Sequence, residues 1–128
     1  MSVTLPLTLS GEVTIGNGLG RTISVPTANI SINENIDGLA YGVYYSTTLV
    51  DGVSYKSISN IGTKPTVKED VNVNAETFIF DFEGDLYGRE IKVTLLKFRR
   101  PEEKFSSFEE LTSVIKEDIK AGMAFSLN

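Results

Sequence analysis

The chain has 128 residues, a net charge of −5, no cysteine, no histidine and 41% hydrophobic residues. These values fit one globular domain over residues 1–128 and exclude disordered and fibrous chains. The acidic balance argues against a general nucleic-acid surface, no apolar run reaches the roughly 20 residues of a membrane helix, and the N-terminus lacks a signal-peptide pattern. We therefore expect a cytoplasmic protein without a nucleic-acid or membrane partner, in which any metal is a hard cation held by oxygen.

The first predicted strand covers residues 3–15, where apolar side chains fall on odd positions. A glycine-rich loop follows, and it contains three alternate glycines and one cation: Gly16, Gly18, Gly20 and Arg21. Glycines let backbone N–H groups approach an anion closely, so this loop is a candidate phosphate contact. A flexible turn between strands explains the same residues, and the residues alone favour that simpler interpretation.

A second candidate site is Thr27 and Asn29, which follow Pro26. In an extended segment, residues spaced two apart lie on one face, so the two side-chain oxygens would point the same way. Neutral oxygen ligands suit Mg²⁺, which takes its remaining ligands from phosphates and water. A turn with side-chain-to-backbone hydrogen bonds is the ordinary alternative for Thr and Asn.

The rest of the chain predicts antiparallel strands and then one helix. Asp51-Gly52 is a hairpin signal between two β-rich runs. Ser107 and Glu110 form a capping-box pattern ahead of an apolar helical stripe, and Gly122 is the predicted helix end. Short hairpins favour an all-β fold with one C-terminal α-helix, either a small barrel or a strongly curved sheet. The remaining predicted ranges are strands at 41–49, 53–61, 73–82 and 90–98, with a connection at 62–72.

Glu76 shares the even-numbered face of its predicted strand with Phe78, Phe80 and Phe82. If this face points into the barrel, desolvation at the barrel mouth would raise the pKa of Glu76 toward values useful to a general base. If the face points outward, the phenylalanines pack under the helix and Glu76 lies at an edge. We expect the inward orientation, because the opposite face is less apolar.

A charged link at residues 99–105 (RRPEEKF) precedes the helix. A solvated loop is the default explanation for such a run. The functional alternative is a lid, with its cations near phosphates and Phe105 near a ring.

In this order, the pieces resemble riboflavin kinase of the ATP-dependent bacterial and eukaryotic type, over about residues 10–124. The combination is specific because each motif stands at the expected distance from the next. The resemblance rests on residues 16–22 (GNGLGRT), 26–30 (PTANI), 42–44 (GVY), 60–66 (NIGTKPT), Glu76, 81–88 (DFEGDLYG) and 100–105 (RPEEKF).

The resemblance implies a six-stranded antiparallel Greek-key barrel, an ATP:riboflavin phosphotransferase activity that yields FMN and ADP, and Mg²⁺ as the cofactor. By this match, Glu76 is the general base, and Thr27 and Asn29 contact Mg²⁺ and the ATP phosphates. The remaining implied residues are a nucleotide flap of Gly16, Gly18, Gly20 and Arg21, and flavin contacts at Arg100, Glu103 and Phe105.

The chain also departs from the family pattern. Ser24 replaces a glycine, Val25 a larger apolar residue, Leu19 a common arginine and Arg99 a usual leucine. These changes keep a second function open, a flavin- or nucleotide-binding regulatory domain with little turnover. Many bacterial relatives carry an FMN adenylyltransferase domain ahead of this one, so we expect that the chain either stands alone or was cut from a longer protein.

Overall fold

The computed structural model describes residues 4–14, 26–65 and 71–126. Six antiparallel strands curl into a half-barrel and one helix follows at the C-terminus, which confirms the predicted fold class. The elements are β1 (Leu7–Glu12), β2 (Thr27–Ser31), β3 (Gly42–Val50), β4 (Val53–Pro65), β5 (Val71–Ile79), β6 (Glu90–Pro101) and α1 (Phe108–Ala124).

The strand order in the sheet is β1-β6-β3-β4-β5-β2. Strands β3, β4 and β5 are consecutive antiparallel neighbours, and β6 returns to pair with β3, which is a Greek key. The β3–β6 ladder shifts register twice near Tyr44, and such bulges bend a sheet. The bend brings the two edges together, where the amide of Thr14 donates to the carbonyl of Asn29 at 2.8 Å.

The predicted hairpin at Asp51-Gly52 is confirmed, and both residues adopt the positive φ angles (49° and 83°) that a tight two-residue turn requires. The predicted connection at 62–72 is wrong at both ends. Strand β4 continues to Pro65 and β5 begins at Val71, with Gly62 paired to Asn74. Glycine normally weakens a strand, but here the carboxylate of Glu102 occupies the space that a Gly62 side chain would need.

The interior of the half-barrel holds one apolar cluster together with buried hydroxyl groups. Ser46 and Ser59 are hydrogen-bonded at 2.8 Å, and Ser59 is bonded to Thr77 at 2.7 Å. These hydroxyls satisfy one another, as buried polar groups generally do. The apolar cluster is formed by buried residues that include Leu9, Ile30, Tyr44, Ile61, Ala75, Ile79, Val93 and Leu95.

Helix α1 begins as predicted, since the Ser107 hydroxyl accepts a hydrogen bond from the Glu110 amide at 3.1 Å. Its predicted end is wrong, because the helix continues past Gly122 to Ala124. Gly122 is buried in the helix, where an added Cβ would approach the Phe80 ring to 2.9 Å, so it permits close packing rather than a cap. Within the described ranges, no helix has the length and apolar character needed to cross a bilayer.

Candidate active site between the sheet and the helix

Three polar residues lie side by side across three strands on the outer face of the sheet. Glu76 of β5 is directly opposite Asn29 of β2 on one side and Asn60 of β4 on the other. Directly opposed side chains in a ladder lie within reach of one another. The sheet therefore brings together two residues that are 47 positions apart in the chain, Asn29 and Glu76, as the sequence predicted.

The face on which Glu76 lies differs from our expectation. Ala75, Thr77 and Ile79 are wholly buried in the interior, so Glu76 and Phe78 point outward, toward the helix. Phe78 and Phe80 indeed pack there, in a cluster with Val43, Ile58, Ile115 and Ile119.

A cavity of about 510 Å³ lies between this outer face, helix α1 and the segment that precedes the helix. One wall is apolar, and Asn60 and Glu76 form a polar end. The predicted flavin-contact residues all line this cavity, so the structure brings them together with Glu76. The full lining is Val43, Ile58, Asn60, Glu76, Phe78, Arg100, Glu102, Glu103, Lys104, Phe105, Leu111, Ile115 and Asp118.

Asp118 of α1 holds the charged link against the helix. Its carboxylate accepts hydrogen bonds from Arg99 Nε at 2.9 Å and from Arg100 Nε and Nη2 at 3.0 and 2.7 Å. The Asp118 side chain is 4% exposed. Its hydrogen bond to the Arg99 guanidinium is the main reason that the pKa of Arg99 lies above its ordinary value. The sequence interpretation missed Asp118, although a carboxylate on the apolar stripe of a helix signals a buried partner.

Because its guanidinium is bonded to Asp118, Arg100 positions the link at 99–105 relative to helix α1. Arg99 also donates to the hydroxyl of Tyr45 at 3.0 Å, and Tyr45 stacks on Phe125 with ring centroids 4.3 Å apart. The link at 99–105 is therefore anchored at its start to both the helix and the end of the chain. Beyond this anchor, residues 101–104 are exposed, so the interpretation as a solvated loop holds for that part of the link.

A second cavity of about 270 Å³ adjoins the first, and we call it the polar cavity because all its lining residues except Gly62 have polar side chains. It shares Asn60, Glu76 and Glu102 with the larger cavity, so Glu76 lies at the junction of the two. The complete lining is Asn29, Asn60, Gly62, Thr63, Asn74, Glu76 and Glu102.

The proposed metal ligands are arranged as the Thr27–Asn29 spacing predicted. Both belong to β2, where alternation places them on the face that carries Glu76. Asn29 is buried, and its amide oxygen accepts a hydrogen bond from Asn74 Nδ2 at 3.0 Å. Thr27 lies opposite Phe78 and lines neither cavity in the described part of the chain.

The donor atoms near Asn29 suit Mg²⁺, which takes few ligands from the protein, better than a metal ion that is held entirely by protein side chains. Among the described residues, there is no group of three or more acidic, histidine or cysteine side chains that could hold a metal. The Asn29 amide oxygen is oriented by Asn74 and retains a second lone pair. A magnesium ion that brings phosphates and water needs only one or two such ligands. The predicted flap of Gly16, Gly18, Gly20 and Arg21, with Leu19, Ser24 and Val25, lies outside the described residues.

These features define a Greek-key β-domain with two adjoining cavities, one apolar-walled and one polar, that share Asn60, Glu76 and Glu102. A family model, described as flavokinase (riboflavin kinase), matches residues 3–126. The chain belongs to the riboflavin kinase family.

Curated relatives agree with this assignment. The chain is 40% identical to the RNA-binding riboflavin kinase RibR of Bacillus subtilis, over 87% of this chain and 47% of the relative. It is 36% identical to the bifunctional riboflavin kinase/FMN adenylyltransferase of Pseudomonas fluorescens, over 94% of this chain and 39% of the relative. The chain thus spans less than half the length of these two proteins.

Two solved structures share the fold. A Streptococcus pneumoniae protein described as a macrolide-efflux protein has a TM-score of 0.80 at 32% identity, over 94% of this chain and 40% of its own. The riboflavin kinase of Trypanosoma brucei has a TM-score of 0.57 at 25% identity, over 91% and 77% of the two chains.

Proposed function

We propose that this chain transfers the terminal phosphate of Mg-ATP to the 5′-hydroxyl of riboflavin, so that the products are FMN and ADP. The observation that carries the proposal is the position of Glu76, which lines both the apolar-walled cavity and the polar cavity. A base at that junction would touch an alcohol held in one cavity and face a phosphate held in the other. Membership of the riboflavin kinase family supports these two substrates.

The flavin ring is assigned to the larger cavity. Its apolar wall, which includes Ile58 and Phe78, suits a flat aromatic ring, because apolar surface leaves water on binding. Arg100, Glu103 and Phe105 would contact the ring from the anchored link. The attachment of Arg100 to Asp118 supports a preformed site, which lowers the entropy cost of binding.

The ATP phosphates are assigned to the polar cavity, which Asn29 lines, with Thr27 two residues away on the same face of β2. These two residues would hold Mg²⁺, which neutralises negative charge on the transferred phosphoryl group. The glycine-rich segment with Gly16, Gly18, Gly20 and Arg21 would cover the nucleotide. Its position in the sequence, shortly before β2, supports this role.

In the proposed step, the ribityl 5′-oxygen attacks the terminal phosphorus while Glu76 accepts the hydroxyl proton. A new phosphorus–oxygen bond forms to the flavin, and the bond from phosphorus to the bridging oxygen of ADP breaks. ADP leaves with the electron pair of that bond. Phosphoryl transfer requires little covalent work from a protein, so positioning and charge neutralisation supply most of the acceleration.

The test is to incubate the protein with riboflavin, ATP and Mg²⁺ and to separate the flavins by chromatography. FMN that accumulates with ADP in equal amounts is the expected result. Riboflavin binding without FMN would support the regulatory alternative instead, and the absence of binding to either ligand would reject both functions.

The remaining parts of the proposal concern partners. The bifunctional relatives support an FMN adenylyltransferase, fused to this chain or acting after it, as the consumer of FMN. One relative is described as RNA-binding, whereas the net charge of −5 supports our prediction that this chain binds no nucleic acid. Cytoplasmic localisation also remains a prediction.

A further inference from the structure

Asn60 occupies a specific place in the site. It lies on β4, directly opposite Glu76 on one side and opposite Val43 of β3 on the other. It lines both cavities, as Glu76 does. A molecule in the larger cavity that reaches the Glu76 carboxylate therefore has Asn60 directly beside that carboxylate.

The amide oxygen of Asn60 has no hydrogen-bond partner although it is buried. Within the described ranges only two buried side-chain oxygens have this property, Glu34 Oε1 and Asn60 Oδ1, and of these residues only Asn60 lines the cavities. Leaving a buried acceptor unpaired is costly, and such groups in folded proteins generally have an explanation such as a ligand, an ion or a water. An acceptor requires a donor, so the partner should carry an O–H or N–H group.

The surroundings indicate which part of a ligand provides that donor. One step along the same face, the Ile58–Phe78 pair belongs to the apolar wall, and the Asn60–Glu76 pair follows it about 7 Å further along the strands. A flavin ring on the apolar wall and a terminal hydroxyl at Glu76 would leave the polyol chain between them. Its internal hydroxyl groups would then lie beside Asn60.

We infer that Asn60 binds a hydroxyl group of the ribityl chain of the flavin and thereby selects flavins that carry a polyol over the bare ring. This inference rests on the proposed function and names the residue that recognises the substrate's side chain. The ribityl hydroxyl donates a hydrogen bond to Asn60 Oδ1, and this bond holds the chain in an orientation that presents the 5′-oxygen to Glu76.

The test compares two ligands on the purified full chain by fluorescence titration. Riboflavin has the ring and the polyol, whereas lumiflavin has the same ring with a methyl group in place of the polyol. For Asn60→Ala, we expect about a five- to tenfold loss of riboflavin affinity, the value of one neutral hydrogen bond. Lumiflavin affinity should change by less than about twofold.

Two controls make the result specific. Asn33→Ala changes an exposed asparagine that lines neither cavity and should leave both affinities unchanged. The melting temperature of ligand-free Asn60→Ala should not fall, because the variant removes an unpaired buried acceptor beside an open cavity. Asn60→Ser, which keeps a shorter acceptor, should lose less riboflavin affinity than Asn60→Ala and serves as the test if the alanine variant does not fold.

Two outcomes would overturn the inference. Unchanged riboflavin affinity would mean that Asn60 Oδ1 binds only water, and an equal loss for both ligands would mean that it contacts the ring. A wild-type protein that binds riboflavin yet makes no FMN would refute the proposed turnover while leaving the Asn60 comparison intact. A wild-type protein that does not bind riboflavin would refute both.

Discussion

Asn29 and Glu76 face each other across the β2–β5 ladder, and both line the polar cavity, to which Glu102 also contributes. The pair places a neutral amide oxygen beside a carboxylate that can accept a proton. Because the two side chains project from a hydrogen-bonded ladder, their separation is maintained by the backbone rather than by a mobile loop. Such preorganisation is what phosphoryl transfer requires of a protein.

Replacing Glu76 by Gln should reduce turnover strongly while retaining substrate binding. Glutamine has nearly the same shape but cannot accept the proton, and loss of a general base typically costs about 10²- to 10⁴-fold in rate. The measurement is FMN formation under saturating riboflavin and ATP, with riboflavin affinity determined separately by fluorescence. A variant that runs at the wild-type rate would remove Glu76 from the mechanism.

Replacing Asp118 by Asn should destabilise the protein and weaken flavin binding. The change removes the carboxylate that binds both Arg99 and Arg100, whose side chains are only 26% and 18% exposed. We expect a loss of about 2 kcal/mol in the free energy of unfolding, less than for a fully buried pair because the arginines can still reach water. Urea denaturation and riboflavin titration measure the two effects.

The matched control for Asp118 is Asp51→Asn, which makes the same chemical change in the exposed pair with Arg89. The free energy of unfolding should stay within about 0.5 kcal/mol of the wild-type value, since exposed ion pairs contribute little. Equal losses in the two variants would contradict the positioning role of Asp118.

Replacing Gly42 by Ala should displace the paired backbone at Pro101, within the proposed flavin-contact segment. Gly42 has φ = +148°, and an added Cβ would collide with the Arg100 carbonyl oxygen and approach Pro101 Cα to 2.9 Å. We expect the free energy of unfolding to fall by about 2–3 kcal/mol and riboflavin affinity to fall with it.

Gly52→Ala separates backbone strain from this collision. Gly52 also has positive φ, +83°, but no atom lies within 4 Å of the position of its added Cβ. The free energy of unfolding should fall by only about 1 kcal/mol, the cost of placing alanine in a left-handed backbone conformation, and riboflavin affinity should not change. If Gly52→Ala weakened flavin binding as much as Gly42→Ala, the collision at Arg100 would not be the cause.

The stability of the protein should fall at alkaline pH partly because of Tyr44. Burial raises the pKa of Tyr44, whose hydroxyl donates to the Ala40 carbonyl at 2.5 Å. The unfolded chain therefore loses this proton at a lower pH than the folded chain, and stability present below about pH 10 is lost as pH rises further. Tyr44→Phe should flatten this decline, whereas Tyr87→Phe, at a side chain that is 63% exposed, should not. Urea denaturation between pH 8 and pH 11 measures the slopes.

Local patterns predicted the elements whose formation depends on local chemistry. Asp51-Gly52 can adopt the two positive φ angles of a tight turn, and Ser107 can cap a helix, wherever they occur. The alternation of Thr27 and Asn29 likewise placed both on one face. The structure confirms these predictions, and they could be made from the sequence because they need no knowledge of the rest of the fold.

The predictions for Gly62, Gly122 and the face of Glu76 depended on packing against distant residues, and these were wrong. Gly62 and Gly122 are breakers in local terms, yet the first accommodates Glu102 and the second accommodates Phe80. The direction of the Glu76 face required knowing that α1 covers the outside of the sheet. The role of Asp118 could be predicted only by knowing that two arginines, 18 and 19 positions away, bind its carboxylate.

The amino-acid sequence by itself determined that this is an antiparallel strand protein with one terminal helix and a set of motifs typical of riboflavin kinases. Turn chemistry, capping and strand alternation act over a few residues and can be read without coordinates. Only the tertiary structure decided that the site lies on the outer face of the sheet, with Glu76 between two cavities and Asn60 beside it. That outcome depends on which face the helix covers, and burial between elements far apart in the chain sets it.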